Sequence, residues 1–268
     1  MMGRKFRRPL GGLLMVSWSH PTCADPARKW STMHTEDIEY FSDDQRFVGQ
    51  LAVDDSRDGA RPAVLVSHEG GGLDDHAKNI ARRLAELGYT AFALDYFGDG
   101  KPPAPDERME RFTRLAGDPS LIRRVGGAGL EVLLASNYTD ASRVAAIGFC
   151  FGGTMSLELA RSGADLKAVV GFHSGLSTNE PAGPSAIKGS VLVCIGADDP
   201  WIPPEQRVAF EEEMREAGAD WRMNVYGGAV HSFTNPKADS SNPALAYDAR
   251  ADARSWRAML DLFAETLD

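Results

Sequence analysis

The stretch Gly148-Phe149-Cys150-Phe151-Gly152-Gly153 constrains this chain more than any other. Before it, Val144-Ala145-Ala146-Ile147 is a short apolar run that predicts a buried strand. After it, residues Thr154 to Ala160 predict a helix. A strand that passes into a helix through one residue flanked by glycines has the layout of a nucleophile elbow, G-x-S-x-G, here with cysteine in the place of serine. The turn is sharp, and only small neighbours let the two backbones come that close. The helix that follows aims the positive end of its dipole at the sulfur, which favours thiolate. The competing reading makes Cys150 a small apolar filler at a strand end.

The rest of the chain supplies a frame for such a turn. Ile38 to Phe41 and Phe47 to Leu51 alternate around Ser42-Asp43-Asp44 and predict an antiparallel hairpin. Continuous apolar runs at Ala63–Val66, Thr90–Leu94, Ala168–Phe172 and Val191–Ile195 predict buried strands, and Arg222–Tyr226 is the last strand candidate. Between them, helical spacing predicts helices over His76–Leu87, Arg108–Leu115, Pro119–Leu134 and Pro204–Ala217, with an amphipathic helix over Tyr247–Leu267 at the end. Strands alternating with helices imply an α/β domain with a mainly parallel sheet covered on both faces.

Residues 1–32 read differently. A basic Arg4–Arg8, a mildly apolar Leu10–Trp18 and Thr22-Cys23-Ala24 resemble a weak signal peptide, against the alternative of a flexible extension with Met33 opening the domain at 33–268. The first reading implies export and the second a cytoplasmic protein, which is the expectation adopted. No apolar run is long enough to span a bilayer. A formal net charge of -9 argues against a nucleic-acid partner. Three cysteines, Cys23, Cys150 and Cys194, make no disulfide framework, and Cys194 lies in an apolar run as inert core.

A nucleophilic thiol needs a base, and the base needs an orienting group. Of the six histidines, His20 and His34 precede the core and His76 falls at a helix start. His231 lies in a glycine-rich loop after the last strand, where chain order nucleophile, acid, histidine puts the base. His173, just after a strand, is its competitor; its other reading is a hydrogen-bonded histidine on the pocket floor. The acid falls in Gly196-Ala197-Asp198-Asp199-Pro200, and position alone does not choose between Asp198 and Asp199. Both could equally belong to an Asp-Pro turn. Ser67-His68-Glu69-Gly70-Gly71-Gly72 follows the strand 63–66, the place of a loop that supplies an oxyanion donor. The amides of Gly70 and Phe151 are the expected donors. A carboxylate beside a forming oxyanion would oppose it, so Glu69 is expected to face the thiol. Tyr96, Phe149, Trp201 and Phe233 are expected to line the substrate pocket.

Taken together, HEGGG at His68–Gly72, GFCFGG at Gly148–Gly153, GADDPWIP at Gly196–Pro203 and HSF at His231–Phe233 resemble the dienelactone hydrolase family from about His34 to the C-terminus. The resemblance implies an α/β-hydrolase fold with a Cys–His–Asp triad: Cys150 as nucleophile, His231 as base, Asp199 as acid and Glu69 in contact with the thiol. Asp199 is preferred because the family places its acid four residues before a proline, here Pro203. The implied reaction is hydrolysis of a small ester or lactone through an acyl-enzyme, without cofactor or metal, by a monomer or homodimer. One departure stands out. The family's substrate-binding arginine after HSF is missing, and Thr234-Asn235-Pro236-Lys237 stands there instead. Two other classes compete: a redox-active thiol protein, which lacks a nearby resolving cysteine, and a non-catalytic binding protein on a hydrolase fold, which would leave an intact triad unused.

Overall fold

The computed structural model describes residues 33–268; the leader-like segment with Cys23 and His20 lies outside the described residues. Eight strands form one sheet: β1 (Met33–Ser42), β2 (Gln45–Asp54), β3 (Arg61–Ser67), β4 (Thr90–Leu94), β5 (Thr139–Phe149), β6 (Ala168–Phe172), β7 (Ser190–Gly196) and β8 (Trp221–Tyr226). Their spatial order is β1-β2-β4-β3-β5-β6-β7-β8. β1 and β2 pair antiparallel, as do β2 and β4, and from β4 onward every pairing is parallel.

Alternation along the strands explains the two layers. On β5, Val144 and Ala146 join one apolar core while Ala145, Ile147 and Phe149 join the other. The same period-two split divides Ala63 and Leu65 from Val64 and Val66 on β3. Helices α3 (Pro119–Ala135), α4 (Phe151–Arg161) and α5 (Pro204–Ala217) cover the first face. Helices α1 (Asp75–Glu86) and α6 (Ala249–Thr266) cover the second. Helix α2 (Pro105–Ala116) buries only Leu115.

The hairpin strands run ten residues each, longer than their apolar runs suggest. Thr35, Glu36 and Asp37 pair along β1 yet stay exposed, as an edge strand permits. β5 likewise starts at Thr139, through polar residues that carry no apolar signal. The parallel strands β3, β5, β6 and β7 end at one edge of the sheet. His68, Cys150, His173 and Asp199 follow those four ends, so residues scattered over about half the chain converge there.

Candidate active site

Cys150 sits between the end of β5 and the start of α4 with φ 53° and ψ -121°, a strained conformation for a side chain of this kind. Its neighbours account for the glycines. A Cβ on Gly148 would lie 2.0 Å from the Gly152 carbonyl oxygen, and one on Gly152 would lie 2.2 Å from that of His68. The Cys150 amide donates to the Phe172 carbonyl at 2.9 Å and to His173 Nδ1 at 3.1 Å. Its side chain is partly exposed. Phe151 opens α4, so its amide has no acceptor within the helix.

His231 comes from the loop after β8, anchored by backbone bonds from its amide to Ala244 and from the Ala246 amide to its carbonyl. Its Nδ1 lies 2.7 Å from Asp199 Oδ2. The other Asp199 oxygen accepts the Trp201 amide at 2.9 Å, so the carboxylate is fixed from two sides. Asp198, the alternative, is exposed. His231 Nε2 is buried with no hydrogen-bond partner. Burial works against charge on this ring, but the Asp199 carboxylate and the Cys150 side chain outweigh it, and the imidazole pKa is pushed up to about 10. The rival histidine is fully engaged. His173 is buried, meets the Cys150 amide through Nδ1 and lies 2.8 Å from Thr234 Oγ1 through Nε2.

Glu69 is held at one oxygen by Asn235 Nδ2 at 2.7 Å. Its other oxygen is buried, has no hydrogen-bond partner and lies 3.8 Å from His173 Nε2. The loop under it is stiff. His68 Nδ1 donates to the Glu69 carbonyl at 2.6 Å, and the His68 ring stacks on Tyr96 at 3.6 Å. Tyr96 donates its hydroxyl to the His68 carbonyl at 2.6 Å.

The expected pocket lining needs correction. Tyr96, Phe149 and Phe233 are almost wholly buried. Tyr96 braces the Glu69 loop from beneath. Phe149 and Phe233 belong to the core on the α1–α6 face, where Phe149 stacks on Phe172. Their positions in alternating strands and tight turns turn them into the sheet, and aromatic character alone does not reveal that. Trp201 does reach the surface, half exposed, with its ring 4.5 Å from that of His231.

Three contributors escape the sequence reading. Thr234 and Asn235 directly follow HSF and could have been flagged by that position. Phe112 of α2 packs its ring 4.9 Å from Phe151 and beside Gly70, the two expected oxyanion donors. Its only sequence signal is an apolar residue on a largely polar helix. Among the described residues, no group of three or more His, Cys, Asp or Glu is arranged to hold a metal ion, and no helix is long and apolar enough to cross a membrane.

The model of the dienelactone hydrolase family matches residues 48–267. A solved dienelactone hydrolase-like promiscuous phosphotriesterase from metagenomic libraries is 44% identical, with a TM-score of 0.83 over 88% of this chain and 99% of that one. A second structure, m3DLH, is 45% identical with a TM-score of 0.84 over the same shares. A Salmonella typhimurium protein named as a candidate carboxymethylenebutenolidase is 31% identical over 78% of each chain. These likenesses and the sheet order give the α/β-hydrolase fold.

Proposed function

The chain belongs to the dienelactone hydrolase family, and from that premise we propose that it hydrolyses a small carboxylic ester or lactone through an acyl-thioester on Cys150. The single observation behind this reading is the His231–Asp199 pair at 2.7 Å, whose second imidazole nitrogen is buried, with the Cys150 side chain among the groups that raise the ring's pKa.

The steps follow from the chemistry of each group. The thiol proton passes to His231 Nε2, with Glu69 as a second acceptor. The thiolate attacks the substrate carbonyl carbon, and the amides of Gly70 and Phe151 receive the oxyanion. Loss of one such donor costs roughly a hundredfold or more in rate. The carbon–oxygen bond then breaks, and the imidazolium, steadied by Asp199, gives its proton to the leaving alkoxide. Water, deprotonated by the same nitrogen, attacks the thioester. The carbon–sulfur bond breaks and the acid leaves. Thiolate departs from a tetrahedral intermediate more readily than alkoxide, so activated esters, enol lactones and thioesters are preferred over amides. Half-exposed Trp201 and Phe112 flank the site and are assigned to substrate contact.

A redox thiol or a non-catalytic binding site would give the His231–Asp199 pair no work. A phosphotriester is a second substrate class to assay, because a relative 44% identical is described as a promiscuous phosphotriesterase. The test is turnover of p-nitrophenyl esters with intact-mass detection of the acyl adduct. Turnover and adduct both vanish in Cys150→Ala, and turnover falls at least about a thousandfold in His231→Ala. Unchanged turnover in either variant refutes the assignment.

A further inference from the structure

We propose that His173 and Thr234 are positioning residues that tie the backbone of Cys150 to the loop carrying His231, and so fix the approach of sulfur and imidazole. The inference rests on the roles given above to Cys150 and His231.

The strap is continuous. His173 follows β6 with φ 41°, and its amide donates to the Cys194 carbonyl at 2.8 Å. Its Nδ1 accepts the Cys150 amide at 3.1 Å, so Nδ1 carries no hydrogen. Nε2 then bears the ring proton and donates it to Thr234 Oγ1 at 2.8 Å. Thr234 stands three residues beyond His231 and is itself buried. Burial, followed by the charge of His231, holds the His173 imidazole well below its ordinary pKa, which keeps the ring neutral and in this one tautomer. The ring also meets His231 edge-on at 5.0 Å and Phe233 at 5.1 Å.

One ring therefore links the strained turn at Cys150 (φ 53°) to Thr234, two residues beyond Ser232 (φ 55°), which is strained beside the base. Neither turn is held by its own preferences, so each depends on the bonds around it. A displacement of about 1 Å between reacting groups can cost a hundredfold in rate. A histidine that only filled space would not need the Thr234 hydroxyl. A strap would.

Thr234→Val keeps the shape and removes the hydroxyl, while Thr234→Ser keeps the hydroxyl. Two quantities are measured on the full chain: steady-state hydrolysis of p-nitrophenyl butyrate, and the rate of Cys150 alkylation by iodoacetamide from pH 5 to 9. Thr234→Val is expected to lower kcat about tenfold or more with KM within about twofold, and to slow alkylation below pH 7. Thr234→Ser is expected to recover most of both. The proposal is overturned if Thr234→Val keeps the wild-type kcat and alkylation profile, or if Ser and Val fall equally. Thr234→Ala, compared with Ser in the same way, serves if Val does not fold. Wild-type protein inert toward every ester would sink the proposed function, and the alkylation profile would still decide the strap.

Discussion

At the scale of single residues, the site is a matter of which charge each neighbour supports. Burial lowers the His231 pKa, but the Asp199 carboxylate and the Cys150 sulfur outweigh it and push the value from near 6.5 up to about 10, so a proton passed from the thiol would stay on the ring as imidazolium beside the sulfur. An adjacent cation of this kind makes a thiol reactive. His231→Gln removes it, and alkylation of Cys150 by iodoacetamide at pH 6.5 is expected to slow by about tenfold or more. An unchanged alkylation rate would mean that the imidazole does not act on the sulfur. Cys150 and His231 stand out as candidates in the sequence because one sits at a strand end flanked by glycines and the other in a glycine-rich loop, whereas position leaves Asp198 and Asp199 equal and only the family resemblance prefers Asp199. Asn235 and its bond to Glu69 are not legible, because the two residues lie 166 positions apart and only the folded sheet edge brings them together. Its place just after a strand makes His173 a rival base in the sequence, although it precedes the acid. Only the partners at both ring nitrogens show its different employment.

At the scale of elements, α2 differs from the other helices of the described residues. It buries one residue, Leu115, and is otherwise held through polar contacts such as Arg111 to the Phe97 carbonyl at 2.9 Å. Yet its Phe112 ring rests against Phe151 and Gly70, where the acyl group of a bound ester would lie. Replacing that ring by a methyl opens space at the acyl side. Phe112→Ala is expected to raise the kcat/KM ratio of p-nitrophenyl hexanoate to acetate by about tenfold, since each methylene in an apolar pocket is worth on the order of 1 kcal/mol or more. A ratio equal to wild type would remove Phe112 from the pocket. The spacing of Met109, Phe112 and Leu115 announces the helix. It does not announce the neighbour, because a half-buried aromatic on a polar helix looks the same whether it meets core or substrate. The hairpin shows the opposite limit: the apolar stretches of β1 and β2 announce the turn, and the polar edge residues that lengthen the strands carry no periodic signal.

At the scale of the whole molecule, the three histidines at or beneath the site set opposite slopes of stability with pH. Burial lowers the His68 pKa to about 4 and holds His173 well below its ordinary range. In the unfolded chain both titrate near 6.5, so between about 6.5 and 4 the unfolded state binds more protons than the folded one. Their contribution is therefore complete above pH 6.5 and is lost as pH falls; for His68 alone the loss is on the order of 3 kcal/mol. His231 runs the other way. Its folded value is raised to about 10, so its contribution is complete below pH 6.5 and is lost as pH climbs toward 10. Because all three share one unfolded reference, both limbs begin at the same place, and these groups put the maximum of stability near pH 6.5. Thermal melts from pH 4.5 to 9.5 test this with two variants. His68→Gln is expected to flatten the acid limb and leave the alkaline one, and His231→Gln to do the reverse. A His68→Gln curve as steep in acid as the wild type would mean that the buried, unpartnered His68 Nε2 takes a proton in the folded protein, contrary to an imidazole sealed beneath the Glu69 loop. The same burial that stiffens that loop for chemistry would then have to be looser than its stacking on Tyr96 at 3.6 Å allows.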